Sequence, residues 1–412
     1  EAEAVNGVLV GAFRSPDPER DGRKITVVEV LKQAEEEVNQ TLADQPRTQA
    51  ALLEALGDSY RGLGQYHDAI RVQQKAVDLQ TQTLGGDHPQ TLIAVNALAD
   101  SHEVLGDYDE AVPLLELVLG KQRAAFGDKH PATITAMHSL GRAYASVGRF
   151  QQALPLLEQA LAACTDLLGD SHPNTLANMH SLAAVYGGMG RLEDAIGLLE
   201  KIVAAYRERP GATPPDLLVT MNTLGSAYHA AGRHEEATRM LQDTLGLQEE
   251  LLGETHPQTL TSMNNLAVAL QAAGKLDQAV PLYEAVVAAR RKTVRQRVSL
   301  DFLSSAGNLG RAYELMDRLG EATELYEEVL AGYAEVYGDE HEETLRSMVN
   351  LAVAYTSAGE HGQAADTYRR LHRACVSKLG EEHPSALRAR KAASEAELAA
   401  AKIGGDDTPG NE

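Results

Sequence analysis

Apolar residues recur along most of this chain at spacings of three and four, so each successive segment has one hydrophobic face and one polar face. That period predicts helices, and nowhere does the chain alternate apolar and polar residues over a strand's length. The helices come in pairs of fixed length. The segment Gly86-Asp87-His88-Pro89-Gln90-Thr91-Leu92 returns at His130-Pro131, His172-Pro173, His256-Pro257 and His383-Pro384, with a partial copy at His341-Glu342-Glu343-Thr344-Leu345. Neighbouring copies stand 42 residues apart. The 84 residues from 172 to 256 hold a unit opening at Pro214-Pro215-Asp216-Leu217-Leu218, and the 85 from 256 to 341 hold one opening near Ser299. An earlier unit opens near Pro46. A fixed period of this size means stacked supersecondary units, each burying its apolar face against its neighbours.

Ten residues after each opening stands a Leu: Leu56, Leu98, Leu140, Leu182, Leu224, Leu266, Leu309 and Leu351. A small residue follows each of them, such as Gly57, Ala99, Gly141 or Gly225, and three residues further on there is usually a Tyr, as at Tyr60, Tyr144, Tyr186, Tyr228, Tyr313 and Tyr355. These offsets share one helical face, and the small residue marks where a neighbouring helix comes close. A Gly then ends the first helix, at Gly64, Gly106, Gly148, Gly190, Gly232, Gly274 and Gly359, with Asp317 standing in once. Glycine suits that place because a helix commonly ends on a residue in the left-handed conformation. The second helix carries an Ala five residues on and closes at another Gly, and Pro after His fits the first turn of the next helix.

Leu, small residue, Tyr, Gly and Ala at these offsets resemble the tetratricopeptide (TPR) pattern, whose plain form is about 34 residues long. The longer unit here, with its Gly-Asp-x-His-Pro junction and the Asn264-Asn265-Leu266-Ala267 string, is similar to the TPR domain of kinesin light chains and their bacterial relatives. The resemblance implies an all-α fold, a right-handed TPR α-solenoid of about eight 42-residue helix-turn-helix repeats. Where such repeats often have Trp, this chain has Leu53, Val95, Met137, Met179, Met221, Met263, Ala306 and Met348.

The expected organisation is an N-terminal helical linker over 1–45 and a solenoid over 46–382, with repeats starting near 46, 88, 130, 172, 214, 256, 299 and 341. An Ala-rich capping helix over 383–403 and a polar tail over 404–412 follow. Before the array, a short helix, a polar break over Ser15–Gly22 and a second helix from about Thr26 to Leu42 are expected. The strings Glu3-Ala4-Val5-Asn6-Gly7, Phe13-Arg14-Ser15-Pro16-Asp17-Pro18 and Val28-Glu29-Val30-Leu31 resemble the segment joining a bacterial Ser/Thr protein kinase domain to a C-terminal TPR array. That resemblance, together with the absence of a starting Met, implies a kinase domain upstream of Glu1 as an alternative setting.

Composition narrows the chemistry. Acidic residues outnumber basic ones 59 to 37, a net charge of −22, which argues against nucleic-acid partners and anionic membranes. No run approaches the roughly 18 apolar residues of a membrane span, and no basic, apolar leader opens the chain. A cytoplasmic protein is expected. Cys164 and Cys375 lie far apart and fit no ligand spacing, so a reduced pair is expected. The recurring histidines cannot share a metal, because equivalent residues of successive two-helix repeats lie about 20 Å apart. They are expected to start helices. Neither a kinase loop set nor a hydrolase elbow is present, so the chain is expected to be no enzyme and to need no cofactor.

What remains is surface. Eight residues after each opening stand Asn96, His138, His180, Asn222 and Asn264. The next position adds Asn265, Asn308 and Asn350 along with Ser139, Ser181 and Thr223, and position twelve adds Asp100, Arg142, Ser226 and Arg311. These positions point away from the Leu/Tyr face. Uncharged polar side chains repeated there suit the backbone of an extended peptide, since Asn both donates and accepts, though Asn also fills helix junctions. In kinesin light chains the matching Asn positions line the peptide groove, which the resemblance implies for Asn96, Asn222, Asn264 and Asn265. One basic run, Arg290, Arg291, Lys292, Arg295 and Arg297, is a candidate patch for an acidic stretch of a partner, or else a solvated helix end. The expected partner is a protein or peptide.

Overall fold

A computed structural model describes residues 26–208, 215–293 and 299–405. The short helix and break expected before Thr26, the kinase-linker strings before residue 26, Arg295, Arg297 and the end of the tail lie outside the described residues. Among the described residues there are eighteen helices and no strand. They fall into two compact units, Glu1–Pro210 and Gly211–Glu412.

The first unit contains α1 (Val27–Thr41), α2 (Pro46–Gly62), α3 (Tyr66–Leu84), α4 (Pro89–Leu105), α5 (Tyr108–Phe126), α6 (Pro131–Ser146), α7 (Phe150–Leu168), α8 (Pro173–Gly188) and α9 (Leu192–Arg207). Each packs on the next, and α2, α4, α6 and α8 also touch in sequence, as stacked hairpins require. The first helix of this set is more than a linker. Thr26 caps it through a reciprocal bond pair with Glu29, and its buried Val38 and the C-cap residue Leu42 join Leu53, Tyr60 and Val72 in one apolar cluster. Its Glu35 pairs with Arg71 and its Asn39 accepts from Lys75, so α1 closes the open face of the first repeat.

The second unit contains α10 (Pro215–Ala230), α11 (His234–Leu252), α12 (Pro257–Ala272), α13 (Leu276–Thr293), α14 (Leu300–Leu315), α15 (Leu319–Tyr337), α16 (Glu342–Ser357), α17 (His361–Leu379) and α18 (Pro384–Gly405). The last of these takes in Gly404 and Gly405 from the segment read as tail. It lays Ala386, Ala389, Ala393 and Ala396, all buried, on α17, and the spacing of three and four makes a smooth stripe that closes the stack. No described helix is long and apolar enough to cross a membrane.

Helix boundaries follow from local chemistry. His88, His130, His172, His256 and His341 are N-caps, each accepting through Nδ1 from the backbone N–H two residues on at 3.2–3.3 Å. Each of these five first helices therefore satisfies one of its orphan donors with an imidazole, as Ser299 does with its hydroxyl at the start of α14. No group of ligands among the described residues could hold a metal. The turn after each first helix needs a positive φ, and Asp317, the non-Gly residue there, adopts φ 59°. Close approach explains the small residue after Leu. A Cβ added at Gly225 would lie 2.5 Å from Leu241 Cγ, so a larger side chain at that point would force Leu241 to shift.

Candidate functional site

The polar row of the first helices is built by the same period that builds the core. Leu and the small residue turn inward, so residues eight and nine after each opening come to lie where one first helix meets the next. There they bond one another. His138 Nε2 is 2.9 Å from Ser181 Oγ, Asn265 Nδ2 donates to Asn222 Oδ1 at 3.2 Å, and Asn308 Nδ2 donates to Asn264 Oδ1 at 3.5 Å. The first contact lies within the first unit and the other two within the second. All three join position eight of one repeat to position nine of the next.

The Asn222 junction is the most developed. Its Oδ1 also accepts from Ser262 Oγ at 3.0 Å, and Asn265 Nδ2 reaches Ser226 Oγ at 3.4 Å. Ser262 is 1% exposed, so its hydroxyl depends on protein partners. His138 is held as a neutral ring. Burial, helped by the Arg142 charge, pulls its pKa down to about 4, against a smaller opposing bond to the backbone of Ala177. Asn96 turns within its own helix, its Nδ2 donating to Asp100 at 3.3 Å while its Oδ1 is buried without a partner. His180 lies half-buried at the corresponding place on α8, and Asn350 on α16 is exposed.

The charged members of the row are engaged too. Arg142 bonds Glu103 at 2.9 Å and approaches Asp100 at 3.6 Å, and Arg61 approaches Asp100 from the other side at 3.8 Å. Burial raises the pKa of both acids, with Arg142 opposing. Arg311 pairs with Glu314 at 2.9 Å. In the basic run, Arg290 bonds the Asp301 carbonyl at 2.7 Å, Thr261 Oγ1 at 3.2 Å and Ser305 Oγ, while Arg291 pairs with Glu328. Two of the five expected patch residues thus tie repeats together, whereas Lys292 is exposed.

A second recurring device was not visible in the sequence. The conserved-offset Tyr of a first helix donates to a Glu of the preceding helix, as Tyr144 to Glu116 at 2.6 Å and Tyr313 to Glu284 at 2.7 Å, with Tyr186 to Glu158 at 3.3 Å and Tyr355 to Glu327. The turn Arg then lies over the ring in several repeats: Arg191 is 4.1 Å from the Tyr186 centroid, Arg233 is 4.5 Å from Tyr228 and Arg318 is 4.0 Å from Tyr313. The signal was a Glu 28 residues before Tyr144, Tyr186 and Tyr355 and 29 before Tyr313.

Stacked helical hairpins with this turn, cap and seam chemistry define an all-α repeat protein with no strand among its described residues. The tetratricopeptide repeat family model matches residues 48–119, 93–166, 145–208, 216–292 and 301–375, and the chain belongs to that family. A putative kinesin light chain with nearly identical TPR-like repeats from Podosopora anserina is 36% identical, with 51% of this chain and 99% of that one covered and a TM-score of 0.46. The apo form of the quorum sensor NprR from B. thuringiensis shares the fold at 15% identity, a TM-score of 0.61 and coverage of 90% and 98%. The sensor-bearing signal transduction ATPase PH0952 from Pyrococcus horikoshii does so at 13% identity and a TM-score of 0.56, with 87% and 53% covered. No curated protein matches. Proteins of this family generally mediate protein–protein interaction.

Proposed function

We propose that this chain is a binding scaffold whose first-helix row takes an extended peptide of a protein partner. The observation that carries the reading is the row itself: side chains that donate and accept, repeated at a constant offset, half-buried at Asn222, Asn264, Asn265 and Asn308 and exposed at Asn350. A peptide backbone presents donors and acceptors at regular intervals, so a periodic row of amides can follow it without reading its sequence. Asn222 and Asn264 have given their Oδ1 atoms to neighbouring repeats, yet their Nδ2 groups take no partner among the described residues and can donate to peptide carbonyls. Exposed Arg311 would flank the row in the second unit, as exposed Arg142 would flank His138 in the first, and Lys292, together with Arg295 and Arg297 in the sequence, supplies positive charge for an acidic stretch of the partner.

Peptides selected from a random display library on the full chain provide the test. Exchanging Asn264 and Asn350 together for Ala should weaken the selected peptides several-fold, about 0.5–1.5 kcal/mol per lost bond. The melting temperature should change little, because Asn350 is exposed and the Asn264–Asn308 contact is long. Selected peptides that bind the double variant normally refute the placement of the site on this row.

A further inference from the structure

The open space beside Cys164 is a cavity of about 500 Å³, lined by residues of α6, α7 and α8 that include Ile134, Thr135, His138, Leu167 and Asn178. Its origin lies in the repeat register. Position 34 after each opening carries Gln80, Gln122, Tyr206, Gln248, Arg290 or Tyr333 in other repeats, long side chains that bear hydrogen-bond donors. Cys164 occupies that position with a short side chain, and the volume the others fill is left vacant beside it.

The second unit displays an occupied version of the same junction. Arg290 at position 34 donates to the carbonyl of Asp301, to Ser305 Oγ and to Thr261 Oγ1. Carried back by the repeat register, those three acceptors become the carbonyl of Asn174, Asn178 Oδ1 and Thr135 Oγ1. All three residues line the cavity. Asn178 is 3% exposed, and its Oδ1 is buried with no partner. Its orientation is fixed, because Nδ2 donates to the Asn174 carbonyl at 2.8 Å and lies 3.5 Å from Cys164 Sγ. Thr135 Oγ1 donates to Pro131 O at 3.1 Å, as its counterpart Thr261 does to Pro257 O at 3.0 Å, and so keeps lone pairs to accept. An unpaired buried acceptor is costly unless a donor reaches it.

We infer that this cavity is a binding site for a guanidinium side chain, an Arg carried by a partner protein, which enters where Arg290 sits in the equivalent junction. Ile134, Leu167 and Leu168 receive the methylene stem, and the three oxygens receive the fork of N–H groups. The lining contains no Lys or Arg, and the chain's net charge of −22 draws a cation toward it. Cys375, also at position 34, is not a second such site: the register places Ala389 where Asn178 stands, which removes the side-chain acceptor. The cavity shares His138 with the polar row, but the inference does not rest on peptide binding there, since a small molecule tests it.

The probe is n-propylguanidinium, titrated into the full chain with Asn side-chain amides labelled for NMR, beside n-butylammonium and 4-methylphenol. The guanidinium should give a saturable shift of the Asn178 amide, with a Kd on the order of 1 mM for so small a ligand. Cys164→Gln, which restores the filler used in other repeats, should weaken the probe at least tenfold, and Cys164→Arg should abolish its binding while moving the Asn178 signal by itself. Both variants are checked for the wild-type far-UV spectrum, and Cys164→Gln alone decides the matter if the Arg variant does not fold. The proposal is overturned if the guanidinium shift does not saturate, if Cys164→Gln binds the probe as well as wild type, or if 4-methylphenol binds more tightly than the guanidinium.

Discussion

Asn222→Ala tests the seam that joins α10 to α12. The substitution removes the oxygen that accepts from Ser262 Oγ at 3.0 Å and from Asn265 Nδ2 at 3.2 Å. A neutral hydrogen bond contributes about 1 kcal/mol net, and a buried donor left unpaired costs about 1–3 kcal/mol. The two donors differ in their alternatives. Asn265 retains Ser226 Oγ at 3.4 Å. Ser262 is buried, but it can swing to the carbonyl four residues back, as Ser305, Ser347 and Thr220 do at 2.7–2.8 Å in their own repeats. Both losses are thus partly recovered, and about 1–2 kcal/mol of destabilisation should remain. Repeat arrays open locally, so the cost belongs to the α10–α12 contact rather than to a single global transition. Hydrogen exchange resolved to α10 and α12, with urea titration followed by far-UV circular dichroism, measures it. A double-mutant cycle with Ser262→Ala should give a coupling of about 0.5–1 kcal/mol. If Asn222→Ala leaves exchange in both helices unchanged and the cycle shows no coupling, the seam reasoning fails.

Three further outcomes follow from the same contacts. His138 has its pKa depressed by burial, so the fold favours the neutral ring. Its contribution to stability is complete above the unfolded value of about 6.5 and should fall by about 1–3 kcal/mol as the pH drops toward 4. His138→Asn, the residue of other repeats at that place, should remove this component, and the difference between the two proteins' stability-against-pH curves isolates it; parallel curves refute it. His256→Ala should cost about 0.5–2 kcal/mol by removing an N-cap, whereas His256→Asp should be close to neutral, read from melting temperatures. Equal losses in both would contradict the capping role. Asp317→Gly should raise stability by up to about 1 kcal/mol, because φ 59° strains an L-residue, and a lower melting temperature would count against it.

The helices and their ends were legible because their signals are local. Spacings of three and four, the Gly turn with Asp317 in its place, and Pro after His each act within one or two turns of chain. The docked face of α1 was less so. Val38 and Leu42 read as one amphipathic face, but nothing in that stretch names the α2 and α3 residues they meet. The polar row was legible in position and not in partnership. Periodicity located Asn222, Asn264 and His138 on the polar face, yet each bonds a residue 43 or 44 positions away in the next repeat. Arg290 reaches Asp301 and Ser305 of the next repeat, 11 and 15 positions on, and Arg291 reaches Glu328, 37 positions on, which turns an apparent surface patch into repeat-to-repeat ties. The vacancy beside Cys164 is a difference between repeats, and only alignment of position 34 across all of them displays it.

The seam also fixes which half of each amide is left for a ligand. In the second unit the bonds between repeats consume the oxygens of Asn222 and Asn264 and spare their N–H groups, so that stretch of the row offers donors. In the first unit Asn96 has the reverse arrangement, with its N–H given to Asp100 and its oxygen unpaired. An amide facing water alone would be free to rotate and serve either polarity, whereas these are set before any ligand arrives, which lowers the ordering cost of binding. The same bonds link recognition to stability. A peptide carbonyl taken by Asn222 Nδ2 polarises an amide that already bridges α10 to α12, and bonds in such a chain strengthen one another. If a peptide binds the row as proposed, it should favour the closed junction over the open one and slow its opening in proportion to occupancy, so that exchange protection in α10 and α12 would report binding even where no helix moves.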